Sequence, residues 1–230
     1  MDKRSYHVIG AGGIGGWLTA VLAYTLRDCA LHLWDADIVE KHNLDRQRFE
    51  ELDIGSSKVE ALAETTHFAS SVDVTAHAEY ITEATELPSA PEHIILVGVD
   101  NHPARKAALT LGDRYEALTI IGANDTADSE AYCLPVGMAG SPADPRIYYP
   151  DILTNRDDDP LAPPCTGPEQ EERFPQLAMA NMHAAGHIMW LLRIWGHTAR
   201  DLGSDIQVEL PSRIRMNEMG GVETTKVKEF

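Results

Sequence analysis

Three glycines and a handful of charged side chains carry the chemistry of this chain. Gly10, Gly12 and Gly15 form a GxGxxG loop, and Asp35 follows twenty residues later. Glycines let backbone N–H groups approach an anion closely, and an acid at that distance suits a ribose hydroxyl. Asn43, Arg46 and Gln47 sit in the next polar stretch, WDADIVEKHNLDRQ, and Lys58 comes shortly after it. Asp100 and Asn101 close a later apolar run, HIILVGV. Two cations can neutralise the charge of a triphosphate, and a carboxylate can hold its magnesium.

Hydrophobic periodicity says which elements position these groups. Residues 6–9 read as a strand and end at the glycines. Trp17, Leu18, Val21, Leu22 and Leu26 then recur at helical spacing. This strand–glycine–helix order aims the positive end of a helix dipole at a phosphate. Residues 30–34 form a second strand ending at Asp35, so the first unit is βαβ with parallel strands. Residues 36–57 read mostly as loop, 58–68 as a helix with Lys58 at its head, and 72–77 as a strand. The spacing predicts a buried strand over 93–99 and a helix over 104–111, with Pro103 in its first turn. Another buried strand spans 118–122, and residues 133–136 read as a further strand. In such a sheet the ligand crevice lies at the carboxyl ends of the strands. The glycine loop, Asp35 and Asp100 all fall at such ends.

The remainder changes character. Residues 139–175 hold eight prolines and an acidic run, Asp157–Asp159, and read as a long loop. Residues 176–195 predict a helix that is apolar nearly all round, as a buried or subunit-interface helix would be. Final strands are expected at 207–210 and 213–216, followed by a polar, disordered tail. The whole is an α/β chain: a Rossmann-like doubly wound sheet, mostly parallel, with C-terminal antiparallel strands and a long apolar helix. One domain over 1–230 is expected, with a nucleotide-binding core at 1–138, a crossing loop at 139–175 and a C-terminal portion at 176–230.

Composition narrows the partners. The 230 residues hold 36 acidic and 19 basic side chains, a formal charge of −17. Such a surface disfavours nucleic acid and anionic membranes. No run of 18 apolar residues is present, so no membrane span is expected. The glycine spacing argues against reading the N-terminus as a signal peptide. Cys29, Cys133 and Cys165 form no CxxC pair, so no cysteine-only zinc site or disulfide framework is expected. A reducing cytoplasm fits this usage. His183 and His187 share a helix face, but without an HExxH pattern they read as packing residues. Gly220–Gly221 resembles a ubiquitin-like tail, yet nine residues follow it.

Taken together, GAGGIGG, DADIVEKHNLDRQ, Lys58 and DNHPAR (100–105) resemble the ubiquitin-activating-enzyme-like superfamily, of ThiF, MoeB and HesA type, over roughly residues 6–125. The resemblance implies ATP- and magnesium-dependent adenylation of the C-terminal glycine of a small ubiquitin-fold or sulfur-carrier protein, in a homodimer. Gly10, Gly12, Gly13, Ile14 and Gly15 would line the ATP site, and Asp35 would bind ribose. Asn43, Arg46 and Lys58 would contact phosphate, with Asp37, Gln47 and Asn101 beside them. Asp100 would bind magnesium, and Arg105 would brace its loop. Arg46, Lys58 and Asp100 are the expected catalytic residues. Cys165 stands where many members carry a cysteine that takes the acyl group or joins sulfur transfer; an incidental loop cysteine is the other reading. The two zinc-binding CxxC pairs and the N-terminal extension of many relatives are missing. Three alternatives stay open: an NAD-dependent oxidoreductase, a non-catalytic binding module of the same family, and adenylation of another carboxylate such as a peptide C-terminus or an amino acid.

Overall fold

The computed structural model describes residues 3–69, 72–125, 127–154, 178–198 and 210–227. Its centre is an eight-stranded sheet in the order β3-β2-β1-β4-β5-β6-β7-β8. The strands are β1 (Arg4–Ile9), β2 (Cys29–Trp34), β3 (Asp73–His77), β4 (His93–Val97), β5 (Leu118–Asn124), β6 (Ser129–Leu134), β7 (Pro211–Met216) and β8 (Val222–Lys226). The first five pair in parallel. The last three are antiparallel to their neighbours.

A parallel strand needs both faces covered, and β4 is buried at all five positions. Its Ile94 and Leu96 join one core, shared with Leu18 and Leu22 of α1 (Gly13–Thr25), Val59 and Leu62 of α2 (Lys58–Ala69), and the long helix α6 (Ala178–Arg193). Ile95 and Val97 face the other core, with Ala107, Ala108 and Leu111 of α3 (His102–Arg114). The strand order reverses between β1 and β4. Gly10 and Gly98 leave those strands side by side, and the Gly98 N–H still donates to the Ile9 carbonyl at 2.8 Å.

The structure extends or corrects several expectations. The region 139–154, read as loop, contains α4 (Pro145–Tyr148) and α5 (Asp151–Thr154). Pro145 sits in the first turn of α4, and Asp144 caps it by accepting from the Arg146 N–H at 3.0 Å. Proline thus starts a helix here, as it can in a first turn. The tail read as disordered supplies β8, because β7 offers it a ladder and Gly220, with φ +79, closes the hairpin. Gly220–Gly221 therefore closes a hairpin turn: the Gly220 N–H donates to the Asn217 carbonyl at 2.8 Å, and the Gly221 carbonyl accepts the Asn217 N–H at 3.0 Å. Of the expected strand over 207–210 only Leu210 is described, and Cys165 lies outside the described residues. Cys29 and Cys133 are buried in the core. His187 accepts or donates at 3.2 Å to the Ser129 hydroxyl, a packing contact between α6 and the sheet. α6 is not buried all round: Met179, Met182 and Trp190 are exposed. Among the described residues no helix is long and apolar enough to cross a membrane.

Candidate functional site

A crevice of about 570 Å³ opens where the strand order reverses. Gly10, Gly12, Gly13 and Ile14 form its floor, and Asp35, Asp37, Arg46, Gln47, Lys58, Asp100 and Asn101 line it. Five stretches far apart in sequence therefore meet over the start of α1.

The glycines serve different ends. Gly10 has φ +90, and a β-carbon there would lie 2.8 Å from Val99 Cγ1 and 3.0 Å from the Gly98 carbonyl oxygen. At Gly15 it would lie 1.8 Å from the Gly10 carbonyl oxygen, so this glycine lets α1 pack onto β1. At Gly12, the N-cap of α1, the nearest atom would be Gln47 Nε2 at 3.8 Å. Gly12 therefore keeps open space above a helix N-terminus, a place suited to an anion.

Asp35 is buried at the end of β2 and accepts the Ala11 N–H at 2.7 Å and the Asp37 N–H at 2.8 Å. Burial, then the nearby Asp37, raises its pKa above the ordinary carboxylate value, against the pull of Lys58 and the two N–H groups. Lys58 lies 2.7 Å from Asp37 Oδ2 and is itself buried. Tyr80 donates its hydroxyl to the other Asp37 oxygen. Burial alone would raise the Asp37 pKa, but the bonds from Lys58 and Tyr80 outweigh it and hold the carboxyl below its usual range. Arg46 Nη1 donates to the His42 carbonyl at 2.9 Å and to Asp45 at 3.2 Å, with its side chain 19% exposed. The Gln47 Oε1 is buried with no hydrogen-bond partner among the described residues, as an acceptor kept for a ligand donor would be.

Two expected residues turn their side chains to the fold. Asn43 does not line the crevice; its Oδ1 accepts the Glu40 N–H at 2.9 Å and closes the turn that carries Arg46. Asn101 lines the wall, but its Oδ1 caps α3 by accepting the Ala104 N–H at 2.9 Å. Arg105 donates to the Val99 carbonyl at 3.1 Å, bracing the strand end before Asp100. Tyr80, Asn124 and Asn181 also line the crevice and were not singled out in the sequence. Nothing local marks them: each arrives through tertiary packing, Asn181 from α6 some 135 residues after Arg46.

The ThiF family model matches residues 1–120. This chain belongs to the ThiF family. Among solved structures it is similar to E. coli MccB with succinimide, at 21% identity and a TM-score of 0.66, covering 97% of this chain and 63% of that one. E. coli MccB with ATP gives 19% identity, a TM-score of 0.66 and the same coverage. PaaA gives 16% identity and a TM-score of 0.65, covering 97% of this chain and 64% of that one. These likenesses establish the fold of this ThiF-family chain, which spans just under two thirds of the length of either neighbour. No curated protein sequence matches it.

Proposed function

We propose that this chain uses ATP to adenylate the C-terminal carboxylate of a small protein or peptide. The observation that carries the reading is that Arg46 and Lys58, from separate segments, line one crevice with Gly12 and Asp35. A nicotinamide dinucleotide site does not need that pair of cations. The E. coli MccB structures include one with ATP and one with AMPCPP and MccA; a nucleotide and a small partner are the ligands carried over here. A ubiquitin-fold protein ending in glycine is the form of partner the sequence motifs favour.

The reaction is a displacement at the α-phosphorus. A carboxylate oxygen forms the new P–O bond as the bond to the pyrophosphate oxygen breaks. No base is required, because a free carboxylate is already ionised at pH 7. The protein must bring two anions together, so positioning and fixed positive charge are the sources of rate. Arg46 and Lys58 supply that charge, the start of α1 supplies N–H groups, and Asp35 keeps the glycine loop in place while offering a ribose acceptor. Among the described residues no group of three or more His, Cys, Asp or Glu suits a metal ion. One exposed carboxylate, Asp100, does suit magnesium that keeps phosphate and water as its other ligands. When bound, magnesium would offset phosphate charge.

ATP–pyrophosphate exchange with a candidate carrier tests the reading. Exchange that depends on the carrier's free C-terminus is expected. Intact ATP binding without exchange, across carriers encoded beside this chain, overturns the enzymatic claim; preferential binding of NAD overturns the nucleotide assignment. Transfer to Cys165 is a further part of the reading, checked by mass spectrometry of the carrier mixture before and after Cys165→Ala. A homodimer through the exposed Met179, Met182 and Trp190 stripe completes it, checked by light scattering.

A further inference from the structure

Asn181 is almost fully buried on α6, among Ala180, Ala184 and Ala185. A primary amide in that setting is costly unless its polar atoms are bonded. Its Nδ2 donates to the Arg46 backbone carbonyl at 3.2 Å, and its Oδ1 accepts from Asn124 Nδ2 at 3.1 Å. The orientation is forced, because a carbonyl oxygen can only accept. The amide also fills the space a side chain at Gly13 would need: a β-carbon there would lie 2.4 Å from Asn181 Nδ2 and 2.5 Å from its Oδ1. One side chain thus touches the start of α1, the end of β5 and the loop that carries Arg46.

The Arg46 backbone is held from two sides. Its N–H donates to the Asn43 carbonyl at 3.3 Å, and its carbonyl is held by Asn181. The first contact is local to the loop. The second fixes that loop relative to the glycines. The guanidinium can reach the space above Gly12 only from a backbone held at a set distance from it.

We propose that Asn181 is a positioning residue: it acts through Arg46, setting the reach of that guanidinium toward the triphosphate. The inference rests on the proposed function, in which Arg46 meets phosphate. It makes a residue of the C-terminal part, outside the glycine motif, a determinant of ATP affinity.

The test is a double-mutant cycle on the full chain, read by calorimetry with ATP and with adenosine. The variants are Asn181→Ala, Arg46→Ala and the pair, with Asn181→Asp as an isosteric second probe. Asn181→Ala is expected to weaken ATP about tenfold, the scale of one hydrogen bond, and to leave adenosine affinity unchanged. In the Arg46→Ala background the same change should cost ATP nothing more, since coupled residues are not additive. Asn181→Asp places an acceptor against the Arg46 carbonyl and should weaken ATP at least as much while keeping the packed shape. A loss of ATP affinity that persists in the Arg46→Ala background overturns the proposal, as does an equal loss for adenosine or no loss in either Asn181 variant. If the unaltered chain fails to bind ATP, the functional reading falls and this inference with it. If it binds ATP and Asn181 is silent, only this inference falls.

Discussion

The Lys58 ammonium lies 2.7 Å from the Asp37 carboxylate, with the lysine side chain 9% exposed and the aspartate side chain 44% exposed. The pair is one-sided: a nearly buried cation is compensated by an acid that still meets water. Asp37→Ala would leave that cation without its partner and should destabilise the protein more than Lys58→Ala, which leaves an acid that water can solvate. Thermal unfolding of the two variants measures this. Lys58→Ala should nonetheless abolish most pyrophosphate exchange, by about 100-fold or more, as removal of a preorganised charge does. Since the Asp37 pKa is depressed, its contribution to stability is present above the ordinary carboxylate pKa of about 4 and fades as pH falls through the lower folded value.

Asp35 accepts two backbone N–H groups on two different oxygens. Asparagine keeps one acceptor and turns an NH₂ against the other N–H. Asp35→Asn should therefore cost about 1–3 kcal/mol of stability, seen as a lower midpoint in urea unfolding. It should weaken adenosine as well as ATP, because the glycine loop loses its anchor.

Gly15 and Gly12 should part company. A β-carbon at Gly15 meets backbone, which cannot swing aside, so Gly15→Ala should fold poorly or not at all. Gly12→Ala meets only the end of Gln47 and should fold like the unaltered chain. Its ATP affinity should fall roughly tenfold or more, because the methyl group occupies space over the helix N-terminus. Circular dichroism and ATP titration on both variants distinguish packing from ligand space.

A row of imidazoles crosses the sheet face opposite α1. His7 Nε2 meets His93 Nδ1 at 3.1 Å, His32 Nδ1 meets His77 Nε2 at 3.1 Å, and His7 stacks on His32. Trp34 donates its indole N–H to His7 Nδ1 at 3.3 Å, so that nitrogen is the acceptor and Nε2 carries the proton. Burial, reinforced by the neighbouring imidazoles, lowers the pKa of His7 to about 2 and that of His32 to about 4. Burial also lowers His93 and His77, the latter opposed by Glu79; the Tyr115 ring packs on His93. The unfolded chain therefore binds more protons below about pH 6.5, and stability should fall from there down, by at most about 1.4 kcal/mol per pH unit for each group. His32→Phe should flatten that slope between pH 6.5 and 4 in thermal melts across pH.

The sequence alone determined the parts whose signal is local. The GxGxxG loop after a strand, Asp35 at the next strand end and Lys58 at a helix head are set by spacing along the chain, and the strands read at 6–9, 30–34 and 93–99 by runs of apolar residues, with ends that differ by one to two residues from those of β1, β2 and β4. Asn43 and Asn101 show the limit of that reading. Their types suit a ligand, yet each spends its side-chain oxygen on a neighbouring N–H, a choice that depends on backbone angles. The tail strand β8 had too little pattern of its own and exists because β7 is there to pair with it. Asn181, Asn124 and Tyr80 reach the crevice only because helix packing and strand order bring distant segments together. Periodicity fixes which face of an element is buried, but which polar side chain on that face meets another is decided by contacts the chain makes only once folded.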